Sequence, residues 1–197
     1  MRGELLEKPD LTTRCCERIL EDIPGGCVLE KSELVNTGFM NEGILISLDD
    51  NKVGHLVKTC KLWTGVSTSA TNVAVYKNHE FKVGDIVTNT ALTTISRNIT
   101  AIDTSYSSYD VFSFASGLGV EILTGEILIE AQASGCSGVD ASYKYIPDAV
   151  GIAKEPINLA FQNTGFGLLV RGTVKESLMP YPVDSTIKAL FPLIRFT

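Results

Sequence analysis

The sequence predicts a mainly β protein, an antiparallel β-barrel or β-sandwich with a short N-terminal helical arm and a short C-terminal helix. Three observations carry this. Apolar and polar residues alternate with period two from Cys27 onward. The alternating segments are short and bounded by turn chemistry, as in Asp49-Asp50-Asn51, Lys77-Asn78 and Val83-Gly84-Asp85. They follow one another without the long helical stretches a βαβ fold needs. The closing stretch, Ala149 to Phe196, repeats the pattern with Gly, Pro and Asn as punctuation.

The first 40 residues read as an arm and residues 41–197 as a β-rich domain. In the arm, Asp10 or Thr12 offers a helix cap. Leu11, Cys15, Ile19 and Ile23 follow at four-residue spacing and form one apolar stripe. Pro24-Gly25-Gly26 ends the predicted helix. A helix this short needs something to pack against. It either caps its own barrel or docks on a partner, which makes Leu11 and Ile19 candidate contact residues.

Strands are expected at Gly43–Leu48, His55–Leu62, Asn72–Tyr76, Asp85–Thr88, Thr94–Ile102, Tyr109–Ala115, Glu126–Ala131, Val150–Ala153 and Phe166–Val174. In Tyr109–Ala115 both parities carry bulk, which predicts a strand covered on two sides. The continuous apolar run Leu168–Val170 predicts a central strand, and Gly172 a bulge or close backbone approach. Val183 to Leu190 reads as one or two helical turns capped by Asp184 or Ser185, followed by a last strand in Leu193–Phe196. Ser134 to Ser142 is the most loop-like stretch.

With 197 residues, 44% of them hydrophobic and 20% charged, the chain can bury a core without a metal or disulfide. The net charge is −6 and no block of Lys and Arg stands out, which argues against a nucleic-acid partner. Cys15, Cys16, Cys27, Cys60 and Cys136 have no framework spacing and no CxxC pair, so free thiols of a reducing compartment are expected. Charges interrupt the N-terminus too often for a signal peptide, and no run of ~18 apolar residues predicts a membrane-spanning helix.

No catalytic pattern emerges. His55 and His79 fall in different segments and make no metal motif, and GxSxG is absent. Glu126 and Glu130 share parity on one strand, most simply as a solvated face. The glycines of "GLGVEILTG" fit no phosphate loop, and "DTSYSSYD" lacks the spacing of a calcium loop. The single Trp and the scattered Tyr residues form no obvious aromatic platform in the sequence. The expectation is a binding or structural protein without cofactor or catalytic residues. Phe39, Met40, Trp63, Tyr181 and Phe191 are the candidate anchors of an interface.

From Lys52 to Phe196 the succession "EFKVGDIVT", "ISRNITAIDTSYSSYDVFSFASGLGVEILTGEILIEA", "PDAVGIAKEPINLAF" and "VRGTVKESLMPYPVDSTIKALFPLIRF" resembles the head decoration and head fibre proteins of tailed bacteriophages. It is most similar to the auxiliary capsid proteins of phages of Bacteroides-type hosts. The resemblance implies a structural virion protein, made in the host cytoplasm and placed on the capsid surface. It would bind assembled major capsid protein, and itself as a homo-oligomer such as a trimer, with contacts to other head proteins. The chain lacks fibrous repeats and suits a decoration unit or a fibre base. Other virion β-domains (tail, connector or baseplate) and a carbohydrate-binding module are the alternative readings.

Overall fold

The computed structural model describes residues 14–145, 149–161 and 165–197. Among the described residues there are fourteen strands and one short α-helix. The strands are β1 (Cys16–Leu29), β2 (Phe39–Met40), β3 (Leu45–Leu48), β4 (Val53–Leu56), β5 (Thr59–Lys61), β6 (Asn72–Tyr76) and β7 (Ile86–Asn89). They continue as β8 (Arg97–Asp103), β9 (Tyr109–Phe114), β10 (Ile127–Glu130), β11 (Ala149–Ala153), β12 (Ile157–Asn158), β13 (Gly165–Val174) and β14 (Ile194–Phe196). The helix α1 is Ser185–Ala189. The mainly β architecture matches the sequence expectation.

One sheet runs β1-β4-β3-β11-β13, and pairing of β1 with β13 closes these five strands into a barrel. β14 adds to β13 in parallel beyond the end of β11. The second sheet runs β5-β10-β7-β8-β9-β6, and its ends meet where Leu62 bridges Val75. It is drawn from one continuous stretch, whereas the barrel takes strands from before and after it. No helix among the described residues is long and apolar enough to cross a membrane.

The N-terminal helix is not present where its residues are described. Cys16–Leu29 is a 14-residue strand hydrogen-bonded to β13, and Leu11 lies outside the described residues. A four-residue spacing is also a multiple of a strand's period of two, so it fits either element, and bulges then break the stripe, with Cys15 buried and Ile19 45% exposed. Register shifts occur at Cys16/Arg18, Ile19/Glu21, Glu21/Asp22 and Ile23/Cys27. Pro24-Gly25-Gly26 forms the last of these and does not end the element. Gly26 adopts φ +61°, and a Cβ there would lie 1.9 Å from Phe166 O.

β13 is the central strand expected, with β1 on one side and β11 and β14 on the other. The close approach at Gly172 is also present: an added Cβ would sit 2.1 Å from Arg18 O. α1 is capped as expected, with Asp184 Oδ1 accepting from Ile187 N–H at 2.9 Å. The predicted strand His55–Leu62 is two strands, β4 and β5, which belong to different sheets.

Adjacent residues feed different cores. Ile46, Leu56, Ala153, Phe166 and Leu168 join one cluster, while their neighbours Leu45, Val57, Ile152 and Leu169 join another with Ile187 and Phe191. The second sheet encloses a third, around Phe81, Phe112 and Leu128. β10 is the shared wall. Leu128 points into the third cluster, and Ile127 and Ile129 into the barrel's, so all four residues of the strand are buried. β9 differs from expectation: Asp110, Phe112 and Phe114 are buried, but Tyr109, Val111 and Ser113 are half-exposed on an outer face.

Candidate interaction surfaces

Where the two sheets meet, buried polar groups join them. Glu80 is 5% exposed. Its Oε2 accepts from the backbone N–H of Val35 at 2.7 Å and of Asn36 at 2.9 Å. Its Oε1 accepts from the Tyr181 hydroxyl at 3.0 Å. Burial, then the Glu80 charge, raise the Tyr181 phenol far above its ordinary value. One carboxylate thus ties the second sheet to the segment after β1 and to the Pro180–Pro182 turn. A groove of about 430 Å³ opens beside it and brings Phe39, Met40, His79 and Tyr181 together.

A chain of charges runs parallel to this clamp. Lys58, buried in the link between β4 and β5, lies 2.7 Å from Asp85 Oδ2 and 3.8 Å from Glu130 Oε2. Lys144 reaches Glu130 Oε1 at 2.8 Å and Glu33 Oε1 at 3.6 Å. Glu33 Oε2 meets His55 Nδ1 at 3.0 Å, and the His55 ring stacks on Tyr145. Burial pushes the Glu130 carboxyl above its ordinary value, against the pull of Lys144 and Lys58. Its Oε2 receives no hydrogen bond among the described residues, so Lys58 compensates it by charge alone. The solvated face expected for Glu130 is therefore an interior position, because β10 is covered on both sides. Burial likewise raises Glu33, but hydrogen bonds from Tyr145 and His55 outweigh it and hold Glu33 low.

His79 is buried against Phe112, edge to face at 4.8 Å between ring centroids. Its Nδ1 accepts from Phe81 N–H at 3.3 Å, which makes Nε2 the protonated nitrogen. Nε2 lies 3.2 Å from Asp110 Oδ2, whose other oxygen is held by Lys77 at 2.5 Å. Burial lowers the His79 pKa, and Asp110 opposes that shift. Among the described residues, no group of three His, Cys, Asp or Glu converges as metal ligands would.

The chain matches no family model, no curated protein and no solved structure.

The candidate anchors separate into three groups. Met40 (2% exposed) and Phe191 (5%) are buried: Met40 packs with Leu34 and Ile157, Phe191 with Ile187 and Ile194. Phe39 and Tyr181 are half-buried in the Glu80 groove. Ile19 and Trp63 reach the surface. Ile19 is 45% exposed on β1, beside Leu20 at 53%. Trp63 gathers the aromatic residues that the sequence leaves scattered, so the expectation of no aromatic platform is overturned. Its ring meets Tyr76 at 4.8 Å and Tyr109 at 5.7 Å, and Tyr109 stacks on Tyr106 at 4.5 Å. The cross-strand register that pairs Tyr76 with Tyr109 could not be read before β6 and β9 were known to be neighbours.

The β1 surface has a second property. Glu17 to Glu21 are all exposed. β13 pairs with this stretch on one side, whereas β4 joins β1 only at Val28 and Leu29. No described strand occupies the other edge over Glu17–Ile23. Ile19 lies opposite Gly172, whose N–H bonds Leu193 O at 3.2 Å, and Leu193 is 58% exposed. Ile19 and Leu20 are thus exposed along a strand edge that no described strand pairs, while Leu193 lies across β13 from it.

Proposed function

We propose that this chain is a capsid-surface protein of a tailed bacteriophage. It binds assembled major capsid protein as a homo-oligomer, a trimer at threefold positions, and stiffens the shell by bridging neighbouring subunits. The observation that carries the reading is the β1 surface, a strand edge that no described strand pairs, with Ile19 and Leu20 exposed along it. Unpaired backbone with apolar flanks favours strand addition or packing by another chain. The motifs from Lys52 to Phe196 support the same assignment. The buried ties between the sheets suit a load-bearing role, since a rigid unit spends little of its contact energy on ordering itself. Repeated over a shell, modest contacts gain from avidity.

The test is co-sedimentation of the purified protein with capsids assembled from major capsid protein, alongside light scattering of the free protein. Saturable binding is expected, and it should be lost in the double variant Ile19→Lys, Leu20→Lys while the melting temperature is kept. A strict monomer that leaves capsids unbound would overturn the reading.

A further inference from the structure

The geometry points to a binding groove for a neutral glycan on the outer face of β6 and β9, a site separate from the β1 surface and independent of any role on a shell. The groove has a volume of about 480 Å³, within the range of small-ligand sites. Ala74 and Val111, a cross-strand pair of small side chains, form its floor. Trp63 and Tyr109 stand at one end, and Asn72 at the other.

Each part suits a sugar ring. A pyranose has an apolar C–H face and a rim of hydroxyls. The C–H face stacks on the electron-rich face of an aromatic ring, and Trp63 supplies such a ring at the groove wall, backed by Tyr109. They are braced by Tyr76 and Tyr106, so little side-chain freedom is lost on binding. The hydroxyl rim needs fixed donors and acceptors. Ser113 Oγ donates to Asn72 Oδ1 at 3.0 Å, which fixes the Asn72 amide. Its Nδ2 bonds no described residue and keeps its donors for a ligand. Thr64 and Ser67 add hydroxyls along the loop wall.

That wall is already formed. Val66 exchanges both backbone hydrogen bonds with Ile122, at 2.9 and 3.0 Å, and Gly65 N–H donates to Thr124 Oγ1 at 2.7 Å. Among the described residues, no Asp, Glu, Lys or Arg lines the groove. Phosphorylated, sulfated or carboxylated ligands would therefore find no countercharge, and a neutral ligand fits best. The apolar floor is only two small side chains, too narrow a stripe for an amphipathic helix.

Trp63 is the only tryptophan of the chain, so its fluorescence reports directly on the groove. The full chain is titrated with tetrasaccharides of glucose, mannose, xylose and N-acetylglucosamine, with sialylated and sulfated oligosaccharides as charged comparators. At least one neutral tetrasaccharide should change the emission saturably at millimolar concentration or below. Asn72→Ala and Ser113→Ala should each weaken binding by about ten-fold with unchanged melting temperature. Silence toward every neutral sugar, binding of the charged comparators alone, or binding that Asn72→Ala and Ser113→Ala leave intact would overturn the assignment.

Discussion

The hydroxyl of Tyr181 donates to Glu80 Oε1 at 3.0 Å and joins positions 101 residues apart in the chain. Because Glu80 is buried, this bond is one of the few polar contacts that hold the C-terminal turn to the second sheet. Tyr181→Phe keeps the ring and leaves a buried carboxylate oxygen without its donor. The expected loss is about 1–3 kcal/mol, read as a lower urea midpoint with an unchanged denaturant slope. An unaltered midpoint would mean that water takes over the hydroxyl's place.

Lys58 is the most consequential charge. Lys58→Ala takes the cation from Asp85 and leaves Glu130 with Lys144 alone, and the expected cost is about 3–5 kcal/mol. Lys58→Met restores the packing of the aliphatic stem and should lose less. Thermal melts of the two variants side by side check the order. Equal melting temperatures would show that charge, and not volume, sets the cost.

The thiols give a prediction at alkaline pH. Burial raises Cys15 to about 11, Cys16 to about 12 and Cys27 to about 11, and burial alone raises Cys60 beyond them. In the unfolded chain thiols ionise near their ordinary value of about 8.5. Above that pH the unfolded state releases protons that the native state retains. The thiol contribution is therefore complete below about pH 8.5 and is lost as pH rises toward the native values. Melting temperature should fall between about pH 8 and 10. A thiol reagent at neutral pH should titrate Cys136 quickly, and the four buried cysteines only on unfolding.

His79 predicts the opposite limb. Its native pKa is lowered, first by burial. The unfolded histidine, near its ordinary value of about 6.5, takes up a proton that the native ring refuses. The stability it contributes is complete above about pH 6.5 and is lost as pH falls through the native value. His79→Phe, which keeps a ring against Phe81 and Phe112, should flatten the loss seen between about pH 7 and 5.5. An unchanged acid limb in the variant would assign it to the carboxylates instead.

Much of the strand pattern was legible because its causes are local. Asn72–Tyr76 is bounded by turn residues, and the strand has those same ends. The Asp184 cap was visible for the same reason. β1 was not. Its four-residue apolar spacing fits a helix and a strand alike, and the tertiary pairing with β13 decides the matter. Glu130 could not be seen as interior, since nothing in Glu126–Ala131 reveals that clusters lie on both sides of β10. The Trp63 groove depends on β6 lying beside β9 and on a loop pinned to Ile122, two non-local facts. Met40 and Phe191 show the converse: apolar type is legible, but interior and contact positions share it.

Lys58 O accepts from Glu130 N–H at 3.2 Å, so the stretch that builds the second sheet departs and returns through a single gap. Such a stretch is a cassette inserted into a host whose own strands pair without it. Lengthening a hairpin or exchanging the tip of the cassette leaves the host's register alone, and the change is felt across the gap only through β10 and the few side chains that cross. The molecule can thus vary one end freely while the other stays constant.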